Sequence, residues 1–271
     1  MLTILLFTAC NPVDKSDSGE DTPVERASCE VPLPVIDWSD SGMPTEGLEG
    51  VEDELALLDL SQLSDPVDIS ELLPLFRGLI AYALEIAPAD LPNELSHQQA
   101  LQVGKLGEVV LASVLLGQED GSGMDVSFFR RGFHHYYTCS RAFPTTLEGL
   151  QEVYGSYNSA QGTIVDSIAK CGDRNLLTVG TDVFVAESLV DGVVRETEVL
   201  LRNQRTDGQL EFLVYDANGH LTNRTQFPTV GNGPHVVTSS PYACMTCHLN
   251  ADTTPTTWGY DVLMPATGPC M

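Results

Sequence analysis

The segment Tyr242-Ala-Cys244-Met-Thr-Cys247-His248 concentrates the reactive groups of this 271-residue chain in seven positions. Cys-x-x-Cys-His is the spacing of covalent c-type haem attachment. Two thiols form thioethers with the vinyl groups on one porphyrin edge, and the adjoining imidazole becomes an axial ligand of the iron. The competing readings each lack a piece. A redox Cys pair belongs at the start of a helix that follows a buried strand in a βαβ unit, whereas the sequence upstream reads as a meander. A structural zinc requires further ligands at fixed spacing, and no second Cys-x-x-Cys exists. A disulfide between Cys244 and Cys247 would be strained. One haem c per chain, held by Cys244, Cys247 and His248, is therefore the expected cofactor.

The sixth iron position decides what such a haem does. Electron carriers fill it with Met or a second His. Met264, sixteen residues after His248, is one candidate, although a Met in an apolar tail is the plainer reading. His235 in Gly231-Asn-Gly-Pro-His235, His220 after a turn, and His134 and His135 beside Arg130 and Arg131 are the others. None is well placed by sequence. Phe184, Phe212 and Tyr215 lie on strand-like runs and could wall an apolar pocket for a small neutral ligand.

The compartment follows from the N-terminus and the cysteines. Met1 to Ala9 is apolar, too short to span a bilayer, and ends Phe7-Thr8-Ala9-Cys10. This resembles a bacterial lipoprotein lipobox, in which the leader is cut before the cysteine and the cysteine is lipidated. No Lys or Arg precedes the apolar run. Residues 1–9 are expected to be the signal peptide, with Cys10 as the lipid anchor, the only membrane attachment expected. Asn11 after the cysteine points to the outer membrane of a Gram-negative envelope. Residues 10–49 form an acidic linker: seventeen acidic residues stand against Lys15 and Arg26 between Asn11 and Glu71. Such a segment buries too little apolar surface to offset its ordering entropy. The cysteines at 29, 139, 171 and 270 are even in number, and an oxidising compartment favours disulfides. Three connectivities are open, of which Cys139–Cys171 and Cys29–Cys270 are favoured.

The net charge of −25, from 13 basic and 38 acidic residues, excludes nucleic acid as a natural partner, because phosphate binding needs clustered Lys and Arg. With 42% hydrophobic residues the chain can build a core. Apolar periodicity predicts helices over 51–63, 68–86 and 96–116, the last capped by Ser96, and another over 145–154. Residues 182–187, 193–201 and 209–215 read as strands separated by Asp191-Gly192 and Asp207-Gly208 turns, with Asn218-Gly219 closing the third. The expected fold is α+β: a helical region at 50–120, then a β-rich domain at 125–271, an antiparallel meander carrying the C-terminal haem c motif.

Over about residues 125–265 the chain resembles the cytochrome P-460 and cytochrome c′-beta group. The resemblance rests on Gly180-Thr-Asp-Val-Phe-Val-Ala-Glu187, on Phe212-Leu-Val-Tyr-Asp-Ala-Asn-Gly219, on Cys244-Met-Thr-Cys-His248, and on Ala251-Asp with Gly259-Tyr-Asp-Val-Leu263. It implies an antiparallel sheet bearing a c-type haem, with His248 proximal and an open distal face for ligands such as nitric oxide or hydroxylamine. Hydroxylamine-oxidising members also crosslink a lysine to the porphyrin. The lysines here are Lys15, Lys105 and Lys170, none within the candidate strands.

The sequence thus points to an exported, lipid-anchored haem protein that binds a small gaseous ligand or performs slow redox chemistry at a five-coordinate iron. A six-coordinate electron-transfer cytochrome with a redox partner is one alternative. A surface lipoprotein with a structural Cys pair and no haem is the other.

Overall fold

The computed structural model describes residues 50–167, 172–203, 209–227 and 236–248. Cys10, Cys29, Cys171, His235, Met264, Cys270, the linker and the Asp207-Gly208 turn lie outside them. The described chain is α+β. Six helices, α1 (Val51–Leu57), α2 (Pro74–Ala83), α3 (His97–Leu101), α4 (Lys105–Asp120), α5 (Val126–Arg141) and α6 (Leu147–Tyr154), precede the main sheet. A two-residue ribbon, β1 (Val67–Asp68) with β2 (Glu94–Leu95), lies among them. The main sheet is a meander of six antiparallel strands: β3 (Thr163–Ser167), β4 (Gly172–Val179), β5 (Val183–Val190), β6 (Val193–Asn203), β7 (Gln209–Asp216) and β8 (Leu221–Thr222). A second ribbon of β9 (Arg224–Phe227) and β10 (Val236–Ser239) leads into α7 (Tyr242–His248).

Local chemistry accounts for where these elements start and stop. The helix expected from 96 is capped as predicted, Ser96 and Gln99 forming a reciprocal capping box, but it divides. Gly104 at φ 70° ends the first piece and α4 begins at Lys105. The helix expected over 68–86 forms only from Pro74, since Pro is suited to the first helical turn. The aromatic, basic run from Val126 folds as α5, capped by the Asp125 carboxylate on the Phe128 N–H, so the helical part of the chain continues to Tyr154. Asp191-Gly192 turns the β5–β6 hairpin with φ of 53° and 73°, the left-handed pair that such two-residue turns demand.

One core joins helices and sheet. Leu79, Tyr82, Val109, Phe129 and Phe133 from the helices are buried together with Val185, Val199, Leu213 and Tyr215 from the strands. Side chains alternate across the strands, so the sheet has two distinct faces. Val185, Glu187, Thr197, Val199, Glu211, Leu213 and Tyr215 share the face that meets the helices. Phe184, Leu200 and Phe212 stand in one row on the opposite face, with Glu196 and Glu198. There Thr225 of β9 donates to Glu196 Oε1 at 2.9 Å, and the Ser240 hydroxyl donates to the Phe212 carbonyl at 3.4 Å. The ribbon and the start of α7 therefore cover this second face.

Helix α4 packs so closely that two of its positions admit only glycine. A Cβ at Gly107 would lie 1.7 Å from the Ala100 carbonyl oxygen, and one at Gly117 would lie 2.2 Å from the Met124 backbone nitrogen. Backbone cannot swing aside as a flexible side chain can. Gly117→Ala should lower unfolding stability by about 1–3 kcal/mol, read from the midpoint of urea denaturation. An unchanged midpoint would mean that α4 and the start of α5 are not in this contact.

Candidate functional site

Helix α7 carries the Cys-x-x-Cys-His motif and is partly buried. Ala243 and Met245 are buried, Met245 at 1% exposure, while Tyr242, Cys244 and His248 are half-buried. The Met245 N–H donates to the Pro241 carbonyl at 3.0 Å, which opens the helix, and the Ser240 N–H donates to the Asn223 carbonyl at 3.0 Å, which ties its entry to the β8–β9 junction. Residues 244 and 248 are one helical turn apart and so share a face. Cys247 lies between them in the same helix.

The His248 imidazole packs on Phe212 of β7, ring centroids 5.5 Å apart. Phe212 belongs to the apolar row Phe184–Leu200–Phe212; it is buried, and Tyr82 of α2 also packs on its ring with centroids 6.1 Å apart. Tyr215 does not share that row. Three residues on from Phe212, it points to the helical face and donates to the Pro144 carbonyl at 3.0 Å. Beside the apolar row stand Glu196 and Glu198, both buried, with Arg174 paired to Glu198. Sequence reasoning passed over these carboxylates because Val193–Leu201 reads as a Val- and Leu-rich strand. The signal was present: Glu196-Thr-Glu198 is an i, i+2 pair, which a strand aims at one face.

The other candidate ligands are dispersed. His134 is buried on α5 with Nδ1 3.3 Å from the Ser240 carbonyl oxygen, just before α7. His135 contacts Glu52 at 3.5 Å and meets Tyr136 edge-on. His220 sits on the β7–β8 turn, 3.8 Å from Asp216. Arg131 is held bidentately by Glu54 at 2.7 and 2.9 Å, whereas the Arg130 guanidinium lies 5.4 Å from the ring centre of Tyr242, at the start of α7. Cys139, on α5, is disulfide-bonded.

Beneath Phe212 runs a buried polar network. Tyr137 donates to Glu211 Oε2 at 2.8 Å, its oxygen accepts the Phe212 N–H at 2.9 Å, and the Tyr82 hydroxyl lies 2.9 Å away. Strand β8 pairs only with Val214 and Tyr215, so the Phe212 N–H is an edge donor that Tyr137 satisfies. Arg141, with its side chain 2% exposed, pairs with Glu85 and approaches Glu211 at 3.7 Å. Burial pulls the guanidinium pKa down, and the carboxylates of Glu211 and Glu85 outweigh it, leaving it raised. Burial, reinforced by Glu211, holds the Tyr137 phenol well above its ordinary range.

Compared with known proteins, the chain matches no family model, no curated protein and no solved structure. Two cysteines three positions apart and an imidazole beside the second, in one helix, are a donor set that suits covalent haem. Phe212 supplies an apolar wall against that imidazole.

The tyrosines generate a pH dependence. Burial raises Tyr137 and Tyr215 strongly, and raises Tyr157 to about 12 with help from Glu187. A tyrosine in the unfolded chain ionises near pH 10. Above that the unfolded state sheds protons that the folded state retains, so stability falls as pH rises. Denaturation midpoints should be flat to about pH 9 and decline through pH 10–12. Tyr137→Phe should cost about 1–2 kcal/mol at neutral pH and shallow the alkaline decline. An identical slope in wild type and variant would show that Tyr137 ionises as freely in the folded state as in the unfolded one.

Proposed function

We propose that this is an exported, lipid-anchored c-type haem protein. The carrying observation is the motif Cys244-x-x-Cys247-His248 on one helix, α7, in which Ala243 and Met245 are buried. Cys244 and Cys247 would form the thioethers, and His248 would be the proximal axial ligand. The bound haem would supply an iron able to take a small diatomic ligand or to exchange one electron. The protein's own contribution is to orient the imidazole against Phe212 and to exclude water with the row Phe184–Leu200–Phe212. Arg130, beside Tyr242, is the cation best placed to meet a propionate. A resemblance to the cytochrome P-460 and cytochrome c′-beta group supports small-ligand binding or slow redox chemistry at a five-coordinate iron.

Produced in a periplasm with c-type maturation machinery, the protein should keep its haem on denaturing gels. Cys244→Ala with Cys247→Ala should abolish that stain, and His248→Ala should shift the Soret band. The reduced form should bind carbon monoxide or nitric oxide with a clear spectral change. Sharp low-spin bands indifferent to carbon monoxide would replace this reading with an electron-transfer cytochrome. No Soret band at all would leave a surface lipoprotein with a structural Cys pair.

We also propose cleavage before Cys10 and lipidation there. Several acyl chains on one cysteine give stable anchoring. Cys10→Ser should move the protein from the membrane pellet to the soluble periplasmic fraction; retention in the pellet would sink the lipobox reading.

A further inference from the structure

The helical face of the sheet carries a concavity away from α7. Between α6 and the ends of β5, β6 and β7 runs a cleft of about 790 Å³, within the size range of small-molecule sites. Glu148, Glu152, Glu187 and Asp216 line it, with His220 as the only basic side chain among its lining residues. On the floor, Glu187 is 4% exposed and accepts hydrogen bonds from Ser159 Oγ at 2.6 Å and Asn175 Nδ2 at 2.7 Å. Both donors are neutral, and no described Lys, Arg or His pairs with this carboxylate. A buried carboxylate without a counter-charge is costly. Its cross-strand partner Thr197 also lines the cleft, is 1% exposed, and makes no side-chain hydrogen bond to any described residue. The floor thus offers a buried carboxylate and an unused hydroxyl to something that enters from outside.

The spacing of the acidic groups says what could enter. Among the described residues no three His, Cys, Asp or Glu side chains converge as a metal site. The carboxylates are instead strung along the cleft. Glu148 and Glu152, exposed on α6, are one turn apart, with Cβ atoms roughly 5–6 Å apart. Such a row suits a cation whose charges are themselves separated along a chain. We propose that the cleft binds a linear aliphatic polyamine, with one ammonium at Glu187 and Thr197 on the floor and another at the Glu148–Glu152 rim. Short alkyl spacers would lie over Val194 and Leu147, apolar lining residues of the same cleft. The inference is independent of the haem reading, since Glu187 and Thr197 face away from Phe212 and α7.

A chain of net charge −25 also gathers polycations loosely, so the test must separate a site from a counterion cloud. Spermidine titrated into the full-length protein at physiological ionic strength should give a saturable one-to-one isotherm. Glu187→Gln should weaken it at least about tenfold, equal to about 1.4 kcal/mol. Glu152→Gln, at an exposed position that cannot unfold the core, should weaken it by a smaller factor, and Thr197→Val should do likewise. Glu119→Gln removes the same charge from exposed surface on α4, outside the cleft, and should leave binding unchanged. Magnesium at equal ionic strength should not displace spermidine stoichiometrically. If the isotherm fails to saturate, or if Glu119→Gln weakens binding as much as Glu152→Gln, the cleft is not a polyamine site.

Discussion

Glu211 carries a carboxyl group that the fold removes from water, and much of the architecture is arranged to make that tolerable. Its strand reaches the helical layer at the point where β8 has ceased to pair with it. Tyr82 from α2 and Tyr137 from α5 donate to one oxygen at 3.2 and 2.8 Å, and Arg141 approaches the other at 3.7 Å. Arg141 also donates to the Tyr82 carbonyl at 3.1 Å and pairs with Glu85. Removing one partner of such a buried pair strands the other and typically costs about 3–5 kcal/mol. The network therefore fixes α2, α5 and β7 relative to one another more sharply than apolar packing alone, which tolerates repacking.

That fixation has consequences on the far side of the sheet. Phe212 is adjacent to Glu211 in sequence, and its ring lies between the two layers, with Tyr82 of α2 at 6.1 Å and His248 of α7 at 5.5 Å between ring centres. Its N–H is held by Tyr137, its carbonyl accepts from Ser240, and its ring supports His248. The residue that anchors the helical layer and the one that supports the motif histidine are neighbours on one strand. A disturbance at Glu211 or Tyr137 would be transmitted to the imidazole through backbone, over a single residue.

The sheet separates two environments of different electrostatic character. On the α7 side Glu198 has Arg174, and Glu196 accepts from Thr225, beside an apolar row. On the helical side Glu187 has only neutral donors and opens on an acidic cleft. The contrast comes from which partner each strand position meets and cannot be read from the sum of charges.

Periodicity and turn chemistry, both encoded locally, determined much of this protein from its sequence. The α+β class, the Ser96 cap, the Asp191-Gly192 hairpin and the antiparallel order of β5, β6 and β7 follow from them, because such signals act over a few residues. The helical fold of Val126–Arg141 was harder to see, since its aromatic and basic residues are poor markers of a helix until its buried face is known. Tertiary structure alone decided that Tyr215 turns away from Phe212, that Glu187, Glu196, Glu198 and Glu211 are buried, and which donors each receives. Those outcomes depend on pairing between residues up to 129 positions apart, as between Tyr82 and Glu211. A carboxylate's sequence neighbours carry no record of whether a distant tyrosine, threonine or arginine will arrive to replace its water.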